Sequence, residues 1–128
     1  MTIQEMKIGD HASVTKTVSE TDVYLFAGIT GDLNPAHTNE VAASKTMFKT
    51  RIAHGMLGAG FISAVLGIYM GQELKFTKPV HIGDTVTATA TVEEIILEKN
   101  RVILDTTVVN QDGEVVIKGK ATVMPPKA

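Results

Sequence analysis

From Ile52 to Gln72 the chain carries no Asp, Glu, Lys or Arg, and inside that run lies HGMLGAGFISAVLG, residues 54–67. The stretch is too long for a strand. It falls short of the roughly 20 apolar residues that cross a bilayer, and glycines at 55, 58, 60, 67 and 71 interrupt it. The pattern predicts a helix buried on nearly every side. Glycine inside a helix costs about 1 kcal/mol against Ala, so Gly55, Gly58 and Gly60 within two turns need a compensating gain. Close approach of another backbone or of a ligand supplies one; ordinary packing of the helix on a sheet is the other reading.

The rest of the chain must cover this element, and its 128 residues suffice for one domain spanning 1–128. There is no cysteine, which excludes disulfides, thiolate metal sites and a cysteine nucleophile and fits a reducing compartment. The start, MTIQEMKIGDH, has neither a basic flank nor an apolar core, so no signal peptide is expected and the cytoplasm is the expected location. Twelve basic against fourteen acidic residues argue against a nucleic-acid partner. Four Phe, two Tyr and no Trp leave little for base stacking. A membrane partner is not expected.

Residues 12–18, ASVTKTV, alternate and are rich in β-branched residues, which predicts a first strand. Ser19 reads as an N-cap with Asp22 three positions on, opening a helix from Thr21 to Ile29 with Val23, Phe26 and Ala27 on one side. Gly31 ends it. Asp32-Leu33-Asn34-Pro35 is a turn, because the residue before Pro is pushed out of the helical region. Thr38 is expected to cap a short helix from Asn39 to Lys45. After Gly71 the period changes to two, with Leu74 and Phe76 on one face and Pro79 ending the strand. Residues 85–97 form a long strand with one wet face, Val102–Asn110 another, and Gln111-Asp112-Gly113 a hairpin turn. In Glu114–Met124, Val115, Ile117, Gly119, Ala121 and Val123 are expected to point inward, and Lys118, Lys120 and Thr122 outward. Helices followed by a run of strands indicate α+β with an antiparallel sheet, here curled around one buried helix.

Two features carry chemistry. Asp32, Asn34 and His37 fall within six residues on a turn, where a carboxylate and an imidazole can converge on one water; His titrates closest to neutrality. The same residues are also ordinary turn-formers that bond local backbone. His54-Gly55 opens the apolar helix, where backbone N–H groups lack intrahelical partners and the helix dipole favours negative charge. There Gly55 either admits a substrate carbonyl or only allows tight packing, with His54 as a cap. His37 and His54 show no helical ligand spacing, and His11 and His81 read as strand or turn residues, so no metal is expected. Ser63 lacks a nucleophile elbow and is expected to bond the carbonyl one turn back. Met47, Met56 and Met70 read as core filler. Lys49 and Arg51 are a solvated pair or a phosphate contact.

Taken together, FAGITGDLNPAHTNEVAA, RIAHGMLGAGFISAVLG and QELKFTKPVHIGDTV resemble the MaoC-like (R)-specific enoyl-CoA hydratases over nearly the whole chain; D-x-N-P-x-H followed by H-G-M is the most specific part. The resemblance implies a hot-dog fold, a curved antiparallel sheet around a long central helix, and a homodimer. It implies that Asp32 and His37 are the catalytic pair, that Asn34 supports the loop, and that the Gly55 N–H is the oxyanion donor. Ser63 matches a polar position beside the pair, and Leu66, three residues on, would wall the acyl pocket with His54 and Met56. The implied substrate is an acyl-CoA or acyl-carrier thioester, with no metal or redox cofactor. Polyester precursor supply and fatty-acid breakdown use the same chemistry. A hot-dog thioesterase and a non-catalytic thioester-binding module are the competing readings. One departure stands out: the Pro/Gly-rich loop that usually follows the central helix is missing, since Leu66-Gly67 runs almost straight into Ile68.

Overall fold

Period-two patterning dominates the second half of the chain, and the computed structural model, which describes residues 1–127, turns it into most of a sheet. After a 3₁₀ turn at Ile3–Glu5 come β1 (His11–Thr17), α1 (Glu20–Thr30), α2 (Pro35–Thr38), α3 (Glu40–Ser44) and α4 (Gly55–Ser63). The strands β2 (Ile68–Phe76), β3 (Thr85–Ile96), β4 (Arg101–Val109) and β5 (Val115–Met124) follow. All pairings are antiparallel, in the order β1-β3-β4-β5-β2. This is the α+β hot-dog arrangement expected above. Among the described residues no helix is long and apolar enough to cross a membrane.

β3 shows how the pattern becomes a surface. Val86, Ala88, Ala90 and Val92 are buried while the intervening threonines are not. On the outer face Thr89, Thr87 and Thr85 pair with Ser13, Thr15 and Thr17 of β1 at 2.9, 3.0 and 2.8 Å, cross-strand hydroxyl pairs that pin the register. The inner face packs on α4: Ile62 shares one cluster with Val86, Ala88, Val108, Val116 and Ile117. A second cluster of Val92, Val102, Leu104 and Val123 closes the far end.

β5 departs from expectation at its start. Val115 is 38 % exposed and Val116 is fully buried. Val109 pairs with Val115 but Val108 pairs with Ile117, so Val116 is an extra residue in a bulge. One inserted residue reverses the facing of what precedes it, whereas Ile117, Ala121 and Val123 point inward as expected.

The apolar run also divides differently. Only Gly55–Ser63 is helical, a turn at 64–67 follows, and β2 begins at Ile68 rather than after Gly71. An uninterrupted apolar run hides the switch from helical to strand period. Nor is α4 buried on nearly every side. Gly58, Ala59 and Ile62 are covered, whereas Met56 is 61 % exposed, so it is not core filler within one chain. Side chains, not another backbone, account for two of the glycines. A Cβ on Gly55 would lie 2.8 Å from the Phe76 ring, and one on Gly58 would lie 2.7 Å from Ile117 Cδ1.

Thr106 on β4 is fully buried between Ala90 and Gly119, and its Oγ1 has no hydrogen-bond partner among the described residues. An unpaired buried hydroxyl carries an uncompensated desolvation cost. Thr106→Val is therefore expected to stabilise the fold by about 1 kcal/mol, read as a shift of the urea midpoint with unchanged slope.

Candidate active site

The turn that carries the polar cluster is held at both ends. At the start of α1, Ser19 Oγ accepts the Asp22 N–H at 3.1 Å and the Asp22 carboxylate accepts the Ser19 N–H at 2.9 Å, the reciprocal cap foreseen in the sequence. At its end Gly31 adopts φ 81°, a left-handed conformation that glycine tolerates best, and its N–H closes on the Ala27 carbonyl. Asn34 then caps α2: its Oδ1 accepts the Ala36 N–H at 3.0 Å while its own N–H reaches Asp32 Oδ1 at 3.3 Å. These two bonds tie Asn34 into the turn. Thr38 does not cap the next helix. Its hydroxyl donates to the Leu33 and Asn34 carbonyls, and Asn39 caps α3 through the Ala42 N–H. Pro35 starts α2 too soon after the turn for residues 36–38 to stay outside a helix.

The same cap couples stability to pH. The Ser19 N–H, with Lys16 3.1 Å away, holds the Asp22 carboxyl below its ordinary value. A carboxyl depressed on folding stabilises fully above its unfolded pKa, about 4, and the contribution is lost as pH falls through the lower folded value. Asp22→Asn is thus expected to lose less melting temperature between pH 7 and pH 3 than the parent, measured by circular dichroism.

His37 on α2 and the connector before α4 meet twice. The Ile52 N–H donates to the Ala36 carbonyl at 3.1 Å, and His37 Nδ1 lies 2.7 Å from the Ile52 carbonyl oxygen. A carbonyl only accepts, so Nδ1 carries the proton and Nε2 presents its lone pair. The connector is braced by Arg51, whose Nη2 sits 2.6 Å from Glu20 and whose guanidinium lies over the Tyr24 ring at 5.7 Å. Arg51 is therefore held in an internal ion pair.

His54 occupies the N-cap position of α4 but makes no side-chain cap. Its Nε2 instead meets the Asp32 carbonyl oxygen at 2.9 Å, and its ring stacks on His37 with centroids 3.9 Å apart. One ligand-type atom each from Asp32, His37 and His54 falls within 4.8 Å of the others. The N–H of Gly55 opens α4 with no protein partner among the described residues. The turn of residues 32–37 and the helix start at 54–55, separate in sequence, are one locus in space.

Asp, His and His together are also a metal-type donor set. Their geometry is different: two rings stacked at 3.9 Å and 28° have planes that meet beyond the roughly 2 Å reach of a metal–nitrogen bond. Each ring already spends one nitrogen on a backbone carbonyl.

A cavity of about 360 Å³ opens beside the start of α4, lined by His54, Gly55, Phe48, Phe76, Val80 and Ile117 among others, but not by Asp32 or His37. Within one chain the other resemblance-derived positions lie apart from it. Met56 does not line this cavity. Ser63 ends α4, about 12 Å along the axis from Gly55 at 1.5 Å per residue. Leu66 lines a second cavity of about 280 Å³ with Val65, Val92 and Val123. Residues that sequence reasoning passed over are the Ile52 carbonyl and the apolar Phe26, Phe48 and Phe76. None carries a chemical signature, since an apolar side chain looks the same in a core and in a pocket.

A sheet laid on one central helix, with a polar turn at the helix start, is the build of a hot-dog enzyme. Residues 4–114 match the MaoC like domain. The chain is 57% identical to an (R)-specific enoyl-CoA hydratase of Rhodospirillum rubrum, over 96% of this chain and 90% of that one. It is 44% identical to a 3-hydroxybutyryl-CoA dehydratase of Methylorubrum extorquens, over 97% and 83%. Among solved structures, the unliganded R-hydratase PhaJ1 of Pseudomonas aeruginosa superposes with a TM-score of 0.93 at 41% identity, covering 99% of this chain and 86% of that one. The chain belongs to the MaoC-like dehydratase family.

Proposed function

We infer that this chain is an (R)-specific enoyl-CoA hydratase, a hydro-lyase that adds water reversibly to a trans-2-enoyl-CoA to give the (R)-3-hydroxyacyl-CoA. The observation that carries the reading is the convergence of Asp32, His37 and His54, with the Gly55 N–H, unpartnered among the described residues, next in the chain to His54. A water held by the Asp32 carboxylate and His37 Nε2 attacks C3, and the π electrons move toward the thioester carbonyl. The oxygen there gains negative charge, which the Gly55 N–H and the positive end of α4 stabilise. The pair takes one proton from the water and returns one to C2, so it ends as it began. The thioester itself activates the double bond, and the reaction draws on no metal or redox cofactor. The stacked histidine planes support that view.

The acting unit is a homodimer, with the pantetheine arm in a tunnel at its interface. Support comes from apolar side chains left open on α4 and the edge strand β2, among them Met56, Ile68 at 62 % and Phe76 at 52 % exposure. Such a face in one chain marks an association surface. The test follows the enoyl-thioester absorbance of crotonyl-CoA, with the product offered to an (R)-specific 3-hydroxyacyl-CoA dehydrogenase. Loss of absorbance with dehydrogenase turnover is expected. Release of free thiol, or no reaction with crotonyl and longer enoyl chains, would overturn the assignment.

A further inference from the structure

We propose that His54 is a positioning residue for this reaction: a neutral imidazole, protonated at Nε2, that ties down the Asp32 loop and backs His37 while His37 holds the transferred proton. The proposal rests on the hydratase reading for its kinetic consequences, but its structural content stands apart from it.

His54 is 3 % exposed, one of two buried polar residues among those described. Its Nε2 is 2.9 Å from the Asp32 backbone oxygen, so Nε2 bears the hydrogen. Its Nδ1 is buried with no partner among the described residues, and a neutral imidazole tolerates this better than a charged one, because an imidazolium would bury a second N–H without an acceptor. The ring is sandwiched. Phe26 of α1 lies on it at 4.8 Å and 49°, and His37 at 3.9 Å and 28°. The titratable groups beside it are Asp32 and His37; from α1 it meets the apolar Phe26.

This arrangement does two things at once. The bond to Asp32 fixes the main chain that carries the carboxylate. The stacked face offers π density to His37, whose Nδ1–H is already committed to Ile52 and whose Nε2 alone can gain a proton. An imidazolium over a neutral aromatic face is stabilised by cation–π attraction. The geometry thus favours His37 over Asp32 as the member that carries the extra proton during turnover.

The two roles separate by substitution. His54→Phe keeps a ring face and loses the donor; His54→Gln keeps a donor near the Nε2 position and loses the face. Each is expected to lower kcat for crotonyl-CoA by about tenfold and to change KM less, because the bond to Asp32 and the stack on His37 act on the pair, while His54 only borders the cavity. Unchanged kcat in both variants or a loss confined to KM would overturn the proposal. Should neither variant fold, long-range proton–nitrogen NMR of the unaltered protein decides. It must show His54 in the Nε2–H form and His37 in the Nδ1–H form, and the opposite tautomer at His54 overturns the assignment. That measurement needs no turnover, so failure of the hydratase reading and failure of this one remain distinct.

Discussion

His37→Asn is expected to slow hydration of crotonyl-CoA by about 10²–10⁴-fold, the range a positioned acid–base group contributes, while the protein stays folded. Asn places an amide near the Nδ1 position, so the donor to the Ile52 carbonyl at 2.7 Å can persist. What disappears is Nε2, which has no other duty. Asp32→Asn is expected to lose a similar factor. Its side-chain oxygen can still accept the Asn34 N–H, so the turn holds while the carboxylate's charge and proton affinity are gone. In the proposed mechanism both residues act on one water, so the double variant is expected to fall little below the worse single one. Initial rates at saturating crotonyl-CoA, with circular dichroism as the folding control, read all three. Near-normal turnover in either single variant would remove that residue from the mechanism.

Gly119→Ala is expected to have the largest effect on stability, at least about 3 kcal/mol, or roughly 10 °C in melting temperature. Gly119 lies mid-strand in β5 between Leu74 of β2 and Thr106 of β4. A Cβ there would sit 1.8 Å from the Glu73 carbonyl oxygen, 2.8 Å from its carbon and 3.0 Å from Leu74 Cα. All three are backbone atoms, so no rotamer change relieves the clash and β2 must move. Phe76, at the end of β2, packs on Gly55, so activity is expected to fall with stability. Gly28→Ala is the contrast. Gly28 lies inside α1 with nothing within 4 Å of where an added methyl would sit, and the exchange should gain up to about 1 kcal/mol. Thermal denaturation of both variants measures the difference in sign.

How much was legible in advance depends on how local the cause is. The Ser19–Asp22 cap, the Gly31 stop and the Asn34-Pro35 turn were readable because each is settled within four residues. Strands β3 and β4 were readable because strict alternation survives in any sheet that buries one face. The bulge at Val116 was not, since its register depends on β4 across the sheet. The end of α4 was not, because helix and strand periods cannot be told apart where every residue is apolar. Asp32, His37 and Gly55 could be named as candidates by residue type and spacing. That the segment of Ile52 to Gly55 meets the Asp32–His37 turn could not be read from spacing, because 15 positions separate His37 from Ile52, whose carbonyl orients it.

Residue order alone thus settles the chemical inventory: one carboxylate and one imidazole on a tight turn, a glycine at a helix start, no thiol, and enough alternating residues for a one-faced sheet. Those follow from composition and short-range geometry. It took the folded chain to settle that His37 presents Nε2, and that His54 turns away from its own helix to hold Asp32 and stack on His37. The burial of Thr106 without a partner is of the same kind. These depend on contacts between distant segments, where hydrogen-bond satisfaction and close packing select one arrangement from many that the local sequence permits.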